Sequence, residues 1–201
     1  MALITLSAAY GTGGARLGPD LAAALDVPFL DRAIPTAVAD HLAVSQDEAL
    51  AHDESPVSLL ARIRSSLALS PEHDEDYFRL ETERVLRERA ASGKAVVLGR
   101  AAAIVLRDDH RALHVRLDGP LERRLAQAMA LENIDRQTAE RRLKQNDRAR
   151  EAYVGHFYGV DARDPHHYHL VIDSTAIPLD ACVELIAVAA RARERAGAAA
   201  T

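Results

Sequence analysis

A chain of 201 residues fits one domain, or one domain with a modest insertion, and can bury a sizeable core. Its net charge of −5, with no long basic run, argues against duplex nucleic acid as the main partner, and the single Cys182 excludes an intrachain disulfide and a cysteine-based metal site. Neither a leader pattern nor a bilayer-length apolar run is present, so the expected protein is cytoplasmic and makes no membrane contact.

In chain order, residues 2–7 (ALITLS) read as a first strand and residues 14–25 as a helix. Between them lies a turn with Gly11, Gly13 and Gly14. Residues 27–30 (VPFL) read as a short buried strand ending at Asp31. Residues 32–92 carry helical patterns and no convincing strand; Ser55-Pro56 supplies an N-cap and first-turn pair, and Phe78, Thr82, Val85 and Leu86 share a face of a later helix. Residues 95–98 and 112–117 are apolar strands, and Asp118-Gly119-Pro120 launches the helix after the second. A strongly charged helix is expected over residues 136–153. Residues 169–173 (HLVID) form the last strand, and Pro178 opens a closing helix that buries Leu179, Val183 and Ile186. The tail of residues 196–201 is expected to fray.

Strands separated by helices predict a five-stranded parallel sheet with helices on both faces, and ligands in such folds sit at the carboxyl ends of the strands. Gly11, Asp31, Gly99 and Asp173 all fall just past expected strand ends, so four loops converge on one edge. The expected organisation is a single domain, with a core of residues 1–31 and 93–196, a helical insertion over 32–92 and a lid region over 144–160.

Strand, glycine turn and helix together suit a phosphate cradle. Glycines let several N–H groups point at one anion, and the helix N-terminus adds partial positive charge. Measured against GxxxxGK[ST], however, Ala8 stands at the first glycine, Gly13 at the second, Gly14 at the lysine and Ala15 at the hydroxyl residue. The cradle therefore lacks its own cation.

The ordered set of motifs resembles the cytidylate-kinase-like family, within the nucleoside monophosphate kinases of the P-loop group. ITLSAAYGTGG is similar to the family's opening, PFLDR to its second strand end, and VVLGRAA to its arginine-bearing strand end. DRAREAY and DPHHYHLVIDST are similar to its lid helix and final strand. The match runs through nearly the whole chain. It departs at Ala8, Ala9 and Ala15, where members usually carry Arg-Glu and Arg; Arg16 falls one position late.

The resemblance implies a P-loop kinase fold, ATP and Mg²⁺ as cofactors, and a small-molecule phosphate acceptor, cytidylate first. Ser7, Gly11, Thr12, Gly13, Gly14 and Arg16 are the candidates for holding ATP. Asp31, Arg32 and Arg100 are the candidates for the acceptor, since a guanidinium grips phosphate bidentately and a buried Arg100 would need an anionic partner. Asp147, Arg148 and Arg150 are the candidates for the transferring group, although Arg and Asp also crowd many solvated helix faces. His166, His167 and His169 read as ordinary histidines, with His167 and His169 on one strand face, and no resident metal is expected. A homodimer is compatible with the sequence. Three readings remain open at this stage: a cytidylate-type kinase, a non-catalytic nucleotide- or phosphate-binding protein on the same scaffold, and a kinase for another small acceptor.

Overall fold

A computed structural model describes residues 2–31, 71–99 and 101–199. Five parallel strands form one sheet: β1 (Leu3–Ala8), β2 (Phe29–Leu30), β3 (Ala95–Leu98), β4 (Ala112–Asp118) and β5 (Leu170–Asp173). Their order is β2-β3-β1-β4-β5, which puts β1 and its glycine turn at the centre. The helices are α1 (Gly14–Leu25), α2 (Pro71–Ala90), the one-turn α3 (Ala102–Val105), α4 (Leu121–Glu132), α5 (Arg136–Tyr158) and α6 (Leu179–Ala199).

The central strand is buried on both faces, which is why it reads as a nearly unbroken apolar run. Ile4 and Leu6, with Val115 and Leu117 of β4, pack against Leu17 and Leu21 of α1 and Cys182 and Ile186 of α6. On the opposite face Leu3, Val97 and Ala112 meet Val85 and Leu86 of α2 and Leu106 beyond α3. The P-loop kinase type of α/β fold expected from the sequence is the one observed.

Element boundaries depart from the expected ones where backbone chemistry decides. Residues 27–30 yield only a two-residue β2: Pro28 has no N–H to give, although its carbonyl still accepts from Val96 (2.9 Å). The charged helix does not end at Tyr153; α5 continues to Tyr158, where Gly159 takes the left-handed conformation (φ 66°) that closes a helix. At its other end Asp135 caps α5 by accepting from the Thr138 amide (2.7 Å). Residues 144–160 are thus mostly the second half of a continuous helix. Within 32–92, residues 71–90 form α2, and residues 32–70 fall outside the described residues.

His167 and His169 do not share a strand face. His167 lies in a 3-10 turn over Pro165–His167, whereas His169 stacks on His114 with centroids 4.9 Å apart. His114 is buried under the sheet, its Nδ1 2.8 Å from Thr5 Oγ1, and its own backbone amide donates to His169 Nδ1 (2.9 Å). Burial, then the neighbouring His169 and Arg193, outweigh the favourable charge of Asp109 and depress the His114 pKa from 6.5 to about 4. Above pH 6.5 this costs nothing, since the imidazole is neutral in both folded and unfolded chains. Between 6.5 and 4 the unfolded chain binds the extra proton, so stability falls as pH falls. The expected loss is about 2 kcal/mol on going from pH 7.5 to pH 5. Urea unfolding at both pH values reads it, and His114→Gln should flatten the difference. An equal acid slope in wild type and variant would show that other groups set it.

Candidate functional site

The turn from β1 into α1 is built by bonds that fix its backbone and leave amides over. Ala9 N–H donates to Leu117 O (3.1 Å), continuing the β1–β4 ladder beyond β1. Thr12 closes the turn: its amide (3.2 Å) and hydroxyl (2.7 Å) both donate to Ala9 O, and the residue is fully buried. Both donors of Thr12, a candidate for holding ATP, serve the turn here. Ser174 Oγ, just past β5, donates to Thr12 O (2.8 Å) and ties the loop to the far side of the sheet. Among the described residues, the amides of Gly11, Gly13, Gly14 and Ala15 donate to no protein acceptor. Those are the groups an anion would meet.

A side chain at any of the three glycines would also meet a neighbour. A Cβ on Gly11 would lie 2.3 Å from Arg124 O, on Gly13 2.8 Å from a Leu179 methyl, and on Gly14 2.4 Å from Ala8 Cβ. The last contact gives Ala8 a role: a long side chain there would crowd the first turn of α1.

Tyr10, just before these glycines, binds the loop to the α4–α5 hairpin. Its ring packs with Leu125, Ala128, Ala139 and Leu143. Its hydroxyl donates to Glu132 (2.8 Å), which Arg142 also holds (2.6 Å). Burial first, then the Glu132 carboxylate, push the phenol pKa up to about 12, so the hydroxyl stays a donor. The Tyr10 amide donates to Asp147 Oδ1 (3.1 Å) on α5. Asp147 Oδ2 in turn accepts from Arg124 Nη1 (2.8 Å), which also reaches Tyr10 O (3.3 Å).

Arg124 was not among the sequence candidates. It is buried on α4, and its Nε has no hydrogen-bond partner among the described residues. The pair Arg123-Arg124 in LERRLAQAM was the available signal, but the helical pattern alone does not say which arginine turns inward. Arg116 was missed as well. It lies on β4 opposite Ser7 in register, pairs with Asp118 through Nε (3.0 Å) and Nη2 (2.8 Å), and donates to Ala162 O (2.9 Å). Tyr168 sits 5.8 Å from its guanidinium and donates to the same Ala162 carbonyl (2.7 Å).

The remaining candidates separate. Arg150 is half-buried 4.0 Å from Asp147, and burial together with Arg116 and Arg124 pulls its pKa down. Arg148 is exposed on the neighbouring face of α5, and Arg16 is exposed on α1. Asp147 is engaged by the loop and Arg124. Ser7 is half-buried at the end of β1, and Asp31 half-buried just past β2. Arg32 and Arg100 lie outside the described residues.

Beside Gly13, α4 and the start of α6 enclose a groove of about 390 Å³, lined by Arg123, Gln127, Leu131, Thr175 and Leu179 among others. Gln127 Nε2 is buried and unpartnered there. Arg123 pairs with Asp173 (2.6 Å), whose carboxylate also accepts from the Thr175 hydroxyl (2.6 Å); that hydroxyl above all holds its pKa down.

A central strand feeding a glycine turn and a helix, in a 2-3-1-4-5 parallel sheet, defines a P-loop kinase type of fold. The chain belongs to the cytidylate kinase-like family, whose model matches residues 3–176. The cytidylate kinase of Methanopyrus kandleri is 34% identical over 104 residues, 48% of this chain and 54% of that protein, so the match spans about half of each. An uncharacterized protein from Eubacterium ventriosum has the same fold, with a TM-score of 0.68 at 18% identity over 92% of this chain and 96% of that one. A gluconokinase from Sinorhizobium meliloti also resembles it, with a TM-score of 0.50 at 19% identity over 96% and 92%.

Proposed function

We propose that the chain catalyses ATP-dependent phosphoryl transfer to a nucleoside monophosphate, with cytidylate the first acceptor to test. The observation that carries this reading is the turn itself: open amides at Gly11, Gly13, Gly14 and Ala15, with the buried Arg124 beside them. Phosphoryl transfer asks the protein mainly for positioning and for cations that neutralise developing charge. The loop has no lysine, and Arg124 and Arg150 are the arginines placed to serve instead. The donor's phosphates lie on the amides, and its base enters the groove at Gly13, where Leu131 and Leu179 give apolar walls and Gln127 an unused amide.

The donor set suits a nucleotide that brings its own Mg²⁺. Ser7 offers a hydroxyl at the strand end, and among the described residues no group of three or more His, Cys, Asp or Glu gathers as a ready metal cage. Bound there, the ion would share the triphosphate charge with the arginines. The acceptor is assigned to Asp31, Arg32 and Arg100, in a cytoplasmic enzyme.

A second reading, nucleotide binding without transfer, draws on Ala8 and Ala15, which leave the loop uncharged. A coupled assay with ATP, Mg²⁺ and each nucleoside monophosphate separates the two. Turnover with cytidylate above the other acceptors is the expected result. Calorimetric binding of ADP with no turnover on any acceptor would establish the second reading in its place.

A further inference from the structure

Asp147 stands where a bound anion would. One carboxylate oxygen takes the N–H of Tyr10, inside the glycine turn, and the other takes Arg124 Nη1. Those partners lie 137 and 23 residues away in the chain, so this is a designed tertiary contact and not a local helix-surface pair. Arg124 still keeps a buried, unused donor at Nε. Charge points the same way. Arg116 and Arg124 lie close enough to act on Arg150, Asp147 pairs with both Arg124 and Arg150, and Asp118 and Asp161 act on Arg116. With Asp147 withdrawn, Arg124 and Arg150 would lose the carboxylate they share, an arrangement that calls for another anion.

We propose that Asp147 is a built-in surrogate for a phosphate: its carboxylate fills a subsite formed by the Tyr10 amide and Arg124, and a phosphate of the nucleotide takes that subsite by displacing it. The proposal rests on the nucleotide reading above and adds the subsite and its internal competitor. The helix hairpin need not detach for the exchange, because the Tyr10 hydroxyl holds Glu132, itself bound by Arg142, independently of Asp147. Arg150, three residues along α5, then meets the incoming charge as the carboxylate leaves. Asp147 is accordingly a positioning residue that opposes binding, and takes no proton from the acceptor.

The test is calorimetric titration of the full chain with Mg-ADP and, separately, with tripolyphosphate. Asp147→Asn keeps an acceptor for the Tyr10 amide and removes the charge, so both ligands should bind about tenfold more tightly. Asp147→Glu keeps the charge and should show no gain, while Arg124→Gln should weaken both ligands by about tenfold or more. Wild type that binds Mg-ADP, with Asp147→Asn no tighter at unchanged melting temperature, would overturn the proposal and leave the nucleotide reading intact. Tripolyphosphate that follows the expected order, with no Mg-ADP binding in any variant, would support the subsite and overturn the nucleotide reading.

Discussion

Gly11→Ala should destabilise the protein by about 3–5 kcal/mol and abolish anion binding at the turn. Two costs combine at this position. The backbone sits at φ 80°, where an alanine loses about 1–2 kcal/mol relative to glycine. The added methyl would then lie 2.3 Å from the carbonyl oxygen of Arg124 and 2.9 Å from its carbon, both backbone atoms inside α4. A helix backbone does not step aside, so the turn must, and its open amides move with it. Gly13→Ala is the natural comparison. It has nearly the same φ of 77°, but its clash is with the terminal methyls of Leu179, which can rotate away. A smaller cost of about 1–3 kcal/mol is expected there. At about 2–4 °C per kcal/mol for a chain of this size, thermal melting resolves the two variants. Equal melting temperatures would mean that α4 is not the wall the geometry makes it.

The second large effect is expected at Arg116. Arg116→Met keeps most of the aliphatic stem and deletes the donors to Asp118 and Ala162. Breaking a buried pair from one side is costly because the partner charge is left uncompensated. Asp118 retains 38% exposure of its side chain, so water recovers part of that loss. The net expectation is about 2–4 kcal/mol. Adding Asp118→Asn to Arg116→Met removes the stranded charge and should restore about half of it. Urea denaturation of the single and double variants measures both numbers. A change below about 0.5 kcal/mol in Arg116→Met would show the pair to be energetically idle.

Much of this molecule was legible in its residues because strong local signals coincide with long-range needs. The β1 run is buried on both faces, with only Thr5 and Ser7 polar, and a central parallel strand suits that pattern. The limits of α1 at Gly14 and Leu25, and of β3 at Ala95 and Leu98, fall where glycines and the apolar run set them. Boundaries slipped where one backbone group decided, as with the missing N–H of Pro28 and the left-handed Gly159.

Within the site, the positions of Gly11, Gly13 and Gly14 followed from sequence because an anion-binding turn needs those backbone conformations wherever it occurs. The roles of Thr12, Asp147, Arg124 and Arg116 did not. Hydrogen bonding decided that Thr12 turns inward, and helix phase decided that Arg124 reaches the turn and Arg150 faces Asp147 while Arg148 faces solvent. That Asp147 meets the Tyr10 amide depends on a contact across 137 residues. Chain order and apolar periodicity by themselves determined the architecture, since burial acts on residue type at regular spacing. Tertiary packing decided which charges converge, because a guanidinium or carboxylate is satisfied by any partner within reach and only the folded chain selects one.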